Sequence, residues 1–266
     1  MKVLIIGCGG QGVLADAPGS GNENKVISFA KAFKERYAEL IFFDTDITKS
    51  LYAVNVWGGS YVKNIADAFF DVAVVTTPDD THYEILKLIS RLGAKLVICE
   101  KPLCTDVEQI KEIVKLYKDM GIPLMVDFTR RFINRYRFLK SDYSRGKLGS
   151  FVYGRCIFNR GIWHTGSHAV DLFNWIFRGK LQNFEIIESE ITDVRVWDLM
   201  LVFEHKTFME RRIGNMPVPW WFDSHTRDVV NNAIGFLEGK KPLFSLGEYS
   251  IEGAEKLCWI REKRKQ

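Results

Sequence analysis

Three glycines, a strand-end carboxylate, one lysine and two histidines are the residues whose types and spacing point to chemistry. Gly7, Gly9 and Gly12 stand in "GCGGQG", directly after the apolar run "KVLII" at 2–6. In a G-x-G-x-x-G turn after a strand, the first glycine permits the tight turn. The second lets backbone approach a pyrophosphate, and the third lets a helix pack closely. Gly10 and Gln11 complete that turn. A second strand-like run, "ELIFFDTD" (39–46), ends in Asp44 and Asp46. A carboxylate there accepts hydrogen bonds from the adenosine ribose and repels a 2′-phosphate, so NAD is favoured over NADP. Asp44, nearer the strand end, is the first choice. Lys101 follows the apolar run "LVIC" and Glu100. An ammonium at that edge can donate to developing oxyanion charge and help move a proton. His164 and His168 lie four residues apart in "HTGSH", and imidazoles titrate near neutrality, as a proton shuttle must. Their spacing also suits two metal ligands on a helix. Gly166 between them and the want of a third ligand weigh against it, and no metal is expected.

The elements that must carry these residues alternate. Strand-like runs at 2–6, 39–46, 71–78, 95–102 and 123–128 are interleaved with helical periodicity at 26–37, 82–93 and 106–121. That rhythm predicts an α/β fold: a doubly wound parallel sheet of Rossmann type over residues 1–124. The pattern then changes. Runs at 151–158, 183–191, 193–204 and 208–214 read as strands, and 168–177 and 227–239 as helices. They predict a smaller α+β domain over 125–266 with a mostly antiparallel sheet. The Gly-, Asn- and Pro-containing stretch 15–25 delays the helix that should follow the glycine turn. It is expected to be a lid segment over cofactor or substrate, or a plain surface insertion.

Three further stretches, "TTPDDTH" (76–82), "EKPL" (100–103) and "HTGSHAVDL" (164–172), resemble the Gfo/Idh/MocA family of glucose–fructose oxidoreductase, inositol dehydrogenase and their relatives. "VDFTRRF" (126–132), "GKLGSF" (146–151) and the closing "FLEGKKPLFSLGEYSIEGAEKL" fit the same resemblance. It implies an NAD(H)-dependent oxidoreductase that moves a hydride to or from a carbon of a sugar, nucleotide sugar or polyol. It implies that Lys101 meets the reacting hydroxyl or carbonyl and that Glu100 lines the nicotinamide ribose. His168 would be the acid or base for the substrate oxygen. Thr76, Thr77 and Pro78 end a strand at the sheet edge where ligands of such folds bind. His82 is expected beside that cofactor edge, or packed at the start of the next helix. Arg130, Arg160 and Trp163 are expected in the substrate pocket. Arg131 is expected to meet an anionic group or form an interdomain ion pair, Tyr136 is a further candidate, and Asp171 is expected to orient the helix or an arginine. The family commonly has D-x-G-x-H, whereas this chain has His164 where the aspartate would stand. A His–His pair responds to pH differently, so the favoured substrate and reaction direction are left open. A nucleotide-bound sensor or scaffold without turnover, and an imine or enone reductase, are the alternatives.

Composition agrees with a globular, packed chain: 47% of 266 residues are hydrophobic and 26% charged, with a net charge of +4. No dense basic block calls for nucleic acid. No apolar stretch reaches membrane-span length. The five cysteines form no C-x-x-C pair, and a cytoplasmic location is expected. Alternating Ile, Val, Trp, Leu and Phe in the strands at 183–214 predict an apolar sheet face covered by self-association, as a dimer or tetramer.

Overall fold

The structure is a computed structural model that describes residues 1–17, 27–178, 183–191, 193–214 and 225–263. In chain order its elements are β1 (Lys2–Ile6), α1 (Phe29–Lys34), β2 (Glu39–Phe43), α2 (Ile47–Trp57), β3 (Ser60–Tyr61) and β4 (Val72–Val75). There follow α3 (His82–Ile89), β5 (Leu96–Glu100), α4 (Val107–Asp119), β6 (Leu124–Asp127), α5 (Asn134–Ser144) and β7 (Phe151–Phe158). The last are α6 (Ser167–Phe177), β8 (Phe184–Glu188), β9 (Val196–Phe203), β10 (Thr207–Ile213), α7 (His225–Leu237) and α8 (Tyr249–Lys263).

The chain divides into two compact units, one of residues 1–129 and 219–248, the other of 130–218 and 249–266. A single cut at 124/125 was the expectation from the sequence. Instead β6 completes the first sheet, and the backbone of Ser245 and Leu246 runs beside it, with Val126 N–H donating to Ser245 O at 2.9 Å. A chain that returns to a finished sheet leaves no change of periodicity to mark it.

In the first unit six parallel strands take the order β3-β2-β1-β4-β5-β6. β4 and β6 are buried along their whole length and β1 along all but its first residue, as parallel strands covered on both faces must be. The register aligns Ile6 with Phe43 and Val75, Val75 with Cys99, and Glu100 with Asp127. The C-terminal ends of these strands therefore share one edge. Helices start on side-chain caps: Ser28 accepts from Lys31 N–H at 3.2 Å and Asp106 from Gln109 N–H at 3.0 Å, satisfying first-turn donors. α2 lay outside the helical segments read from the sequence because it buries only Ser50 and Ala53, which gives no apolar stripe to read.

In the second unit four strands take the order β10-β9-β7-β8; β7–β9 and β9–β10 are antiparallel and β7–β8 parallel. One face carries Phe158, Trp197, Leu199, Leu201, Phe203 and Phe208, all buried. α6 covers it, with the Phe173 and Phe177 rings at 5.5 and 4.3 Å from Phe151 and the Phe173 ring at 4.1 Å from Phe184. Most of the Trp, Leu and Phe residues of the 183–214 strands thus serve this internal core. The opposite face carries Ile157, Ile187, Met200, Val202 and Met209. Among the described residues no helix is long and apolar enough to cross a membrane.

Candidate active site

In the first unit the glycine turn leaves β1 with Gly7 at φ +94°. A Cβ on Gly7 would lie 2.8 Å from the Thr76 carbonyl, and one on Gly12 2.3 Å from Gly7 O. Protein packing alone therefore demands glycine at both. Gly9 and Gly10 have open space on that side; nothing in the chain itself requires glycine there. The turn runs into a single π-helical turn, Gly10–Leu14, and α1 begins only at Phe29. Most of the delaying segment, 18–26, lies outside the described residues. Its first end is anchored: buried Asp16 accepts from Ser28 N–H at 3.2 Å and meets Lys31 Nζ at 3.5 Å.

The two candidate acids separate cleanly. Asp44 Oδ2 accepts from Cys8 N–H at 2.8 Å and Oδ1 from Asp46 N–H at 2.9 Å, which fixes its carboxylate against the glycine turn. Asp46 instead caps α2, accepting from Thr48 N–H at 3.0 Å and Thr48 Oγ1 at 2.6 Å. Neighbouring Cys8 is pushed up to about 12 by burial, an inert thiol.

Several residues expected at the cofactor also make hydrogen bonds within the protein. Thr76 Oγ1 lies 2.7 Å from Gly7 O and 3.1 Å from Ile6 O, and so pins the turn. Gln11 Nε2 donates to Thr226 Oγ1 at 3.2 Å. Thr77 Oγ1 accepts from Thr81 Oγ1 at 2.7 Å, and Pro78 O accepts from Thr81 N–H at 2.9 Å. His82 is fully buried, with Nδ1 2.9 Å from Pro102 O and Nε2 2.9 Å from Thr77 O. Both ring nitrogens are occupied, so His82 joins the two loops and offers no ring nitrogen to a cofactor. This is the packed position at the start of α3, one of the two expected of it.

Lys101 is 8% exposed and follows Glu100, whose Oε2 accepts from Lys101 N–H at 3.2 Å. Opposite Glu100 in the register stands Asp127, fully buried and with neither carboxyl oxygen hydrogen-bonded to an amide or hydroxyl. Burial and then the charge of Glu100 raise Asp127 well above the usual carboxylate range, against the pull of Lys101. Burial thus favours the neutral form of the Asp127 carboxyl. Asp127 was missed as a site residue, yet it ends "PLMV" as Glu100 ends "LVIC"; an acid closing a buried strand was the available signal.

In the second unit, β7 leads through Asn159 and Arg160 into the turn Ile162–Gly166, which precedes α6 directly. His164 and Trp163 lie on this turn and His168 in the first turn of α6; Ser167 Oγ donates to His164 O at 3.2 Å. His164 is exposed, while Trp163 and His168 are half-buried. Among the described residues no three His, Cys, Asp or Glu side chains gather as a metal set. Arg131 is committed to Asp171 inside this unit rather than between units: Nε lies 3.1 and 3.0 Å from the two carboxylate oxygens and Nη2 2.6 Å from Oδ1. Both are almost fully buried, and Arg131 also lies over the Tyr249 ring at 4.3 Å. Arg130 is buried over the Trp197 ring at 3.7 Å. Tyr136 is fully buried and packs on Phe208, so it serves the core. The aromatic stretch 217–224 lies outside the described residues; His225 begins α7.

Comparison with known proteins agrees with this layout. Residues 1–128 match the GFO_IDH_MocA family, described as an oxidoreductase family with an NAD-binding Rossmann fold. Inositol 2-dehydrogenase 1 of Mycolicibacterium vanbaalenii is 34% identical over 136 residues, covering 47% of this chain and 39% of its own length. Inositol 2-dehydrogenase of Mycolicibacterium gilvum is 36% identical over 137 residues, with the same shares. The chain thus spans 39% of the length of these curated relatives. Two solved structures share its fold along nearly all of both chains. The WlbA dehydrogenase of Bordetella pertussis, in complex with NADH and UDP-GlcNAcA, has a TM-score of 0.77 at 17% identity, over 100% of this chain and 95% of that one. The myo-inositol 2-dehydrogenase of Lactobacillus plantarum has a TM-score of 0.75 at 15% identity, over 98% and 96%. Residues 1–128, just under half of the chain, thus resemble the NAD-binding Rossmann domain of the Gfo/Idh/MocA oxidoreductase family.

Proposed function

We propose that this protein is an NAD(H)-dependent oxidoreductase acting at a CH–OH carbon of a polyol, sugar or nucleotide sugar. The observation that carries the reading is Lys101. It is a buried lysine at the C-terminal edge of the sheet, next to Glu100 and its register partner Asp127. The cofactor fits the residues present. The Gly7–Gly12 turn leaves open backbone at Gly9 and Gly10 for a pyrophosphate, and Asp44, already fixed on the turn, has lone pairs left for the adenosine ribose. Thr77, Pro78 and Glu100 would border the nicotinamide half. Bound nicotinamide supplies the hydride acceptor or donor. Lys101 would hydrogen-bond the substrate oxygen as charge develops on it. His168 would take the hydroxyl proton in oxidation and return it in reduction. His164, exposed one turn before it, gives that proton a second imidazole on its way to water. Arg130, Arg160 and Trp163 would meet the rest of the substrate.

Adding polyols and sugars to the purified protein with NAD⁺ should produce reduced-nicotinamide absorbance. A protein that holds nicotinamide but never changes its redox state across such a series contradicts turnover and favours a sensor.

We also propose that the molecule self-associates through the outward face of the second sheet. That face carries Ile157, Ile187, Met200, Val202 and Met209. It adjoins a groove of about 1000 Å³ whose lining includes Val152, Phe184, Trp259 and Ile260, with Trp259 57% exposed. Light scattering at micromolar concentration should give a dimer or tetramer, and Met200→Lys should reduce it to monomer. A wild-type protein that is only monomeric contradicts this.

A further inference from the structure

We propose that Glu100 and Asp127 share one proton as an acid–carboxylate pair, and that through this pair Asp127 is a positioning residue for Lys101. The role in turnover rests on the oxidoreductase reading; the pair itself lies within the first unit and stands without it.

Glu100 closes β5, Asp127 closes β6, and the two are register partners on adjacent parallel strands. Neighbouring strands lie about 4.8 Å apart, and partners in register project to the same face. Glu100 is half-buried and Asp127 fully buried. Neither Asp127 oxygen meets an N–H or O–H donor. Its neighbour within hydrogen-bond reach is the Glu100 carboxyl. Two carboxylates have no hydrogen to share. Two like charges so close and out of water also disfavour each other strongly. One proton answers both conditions: the neutral carboxyl donates to the ionised one, in a charge-assisted bond. Burial and then the charge of Glu100 favour the proton on Asp127, against the pull of Lys101. The charges that act on Asp127 are thus both at the end of β5. On the other side of β6 runs the segment 244–246, and its Phe244, Ser245 and Leu246 carry no charge.

The pair acts on Lys101 in two ways. Glu100 Oε2 accepts from Lys101 N–H at 3.2 Å. The carboxylate that Asp127 holds from the next strand is therefore the one that fixes the backbone carrying Lys101. The second effect is a matter of charge. With one proton between them, the two acids set one negative charge beside Lys101 rather than two. A second negative charge near an ammonium strengthens its hold on its protons, and Lys101 is proposed to donate toward the substrate oxygen. Asp127 touches Glu100 and not the reacting atoms, so its contribution is to turnover rather than to substrate affinity.

The test compares the whole chain with Asp127→Asn and Asp127→Leu. Asparagine keeps a neutral donor for Glu100; leucine keeps the bulk and removes the donor. At neutral pH the infrared difference between wild type and Asp127→Asn should contain the carbonyl band of one protonated carboxylic acid. Urea unfolding gives a second reading of the same proton. An acid that keeps its proton when folded and loses it when unfolded makes the wild type less stable as pH rises. Above about pH 4, where unfolded aspartate ionises, the wild-type unfolding constant should grow relative to that of Asp127→Asn. The growth is up to about tenfold per pH unit until the folded pair releases its proton. In turnover, Asp127→Leu should lower kcat at least about tenfold, the scale of a lost hydrogen bond to a charged group, with KM little changed. Asp127→Asn should recover several-fold of that loss and hold its kcat to higher pH than wild type, since its amide has no proton to release. No acid band, or an unfolding ratio flat from about pH 5 to about pH 8, overturns the pair. A kcat for Asp127→Leu within about twofold of wild type, or an unchanged pH profile in Asp127→Asn, overturns the positioning role. The acid band and the unfolding slope in a protein that reduces NAD⁺ with no polyol or sugar keep the pair and overturn the oxidoreductase reading.

Discussion

Lys101→Met should lower turnover by about 10²- to 10⁴-fold, the range a positioned proton-transfer group contributes, while NADH affinity stays within a few-fold of wild type. The separation follows from where the groups sit. The proposed pyrophosphate and adenosine contacts lie at the Gly7–Gly12 turn and Asp44, beyond the end of β1. Lys101 stands two strands away from β1 at the end of β5. Methionine keeps the length and apolar stem of a buried lysine, so loss of fold is not the expected outcome. Lys101→Arg should stay slow despite its charge, because a guanidinium does not give up its proton. Thermal unfolding and NADH binding measured beside kcat distinguish a chemical loss from a structural one. Turnover above about a tenth of wild type in the methionine variant would remove Lys101 from the chemistry.

The largest effect on stability is expected from Asp171→Ala. It would leave the Arg131 guanidinium, 2% exposed at its side chain, without the carboxylate that takes contacts from both Nε and Nη2. Breaking a buried pair from one side costs about 3–5 kcal/mol, because a charge is left uncompensated. Replacing both partners at once, as Arg131→Met with Asp171→Leu, removes the two desolvation costs together and should recover most of the loss. Urea unfolding of the single and double variants measures this directly. A single variant within 1 kcal/mol of wild type, on the order of a surface substitution, would mean that the pair holds little of the second unit together.

The parallel sheet was legible because its strands are short and apolar, and β4 and β5 are each followed by a helix with a clear stripe. β6 and α3 show how well that works: both start within a residue of where periodicity put them. α2 was not legible, since it buries almost nothing apolar. Nor was the return of residues near 245 to β6, because a long-range backbone pairing leaves no local pattern. At the site, Asp44 was chosen over Asp46 on position alone. The hydrogen bonds distinguish the two: Asp46 caps a helix N-terminus and Asp44 holds the glycine turn. His82 and Gln11 have partners distant in sequence or on another loop. The sequence left their partners open, and the fold uses His82 to join two loops and Gln11 to meet a neighbouring helix. Asp127 beside Glu100 and Arg130 over the Trp197 ring needed three dimensions, since each has its partner far away in sequence.

The most direct test of the central claim is isotope transfer. Polyols and sugar acids carrying deuterium at the carbinol carbons are incubated with the protein and NAD⁺, and the recovered nicotinamide is weighed by mass spectrometry. The account predicts deuterium in the reduced cofactor for at least one such substrate, and its loss in Lys101→Met. Tightly bound nicotinamide that never acquires the label from any of them would contradict it.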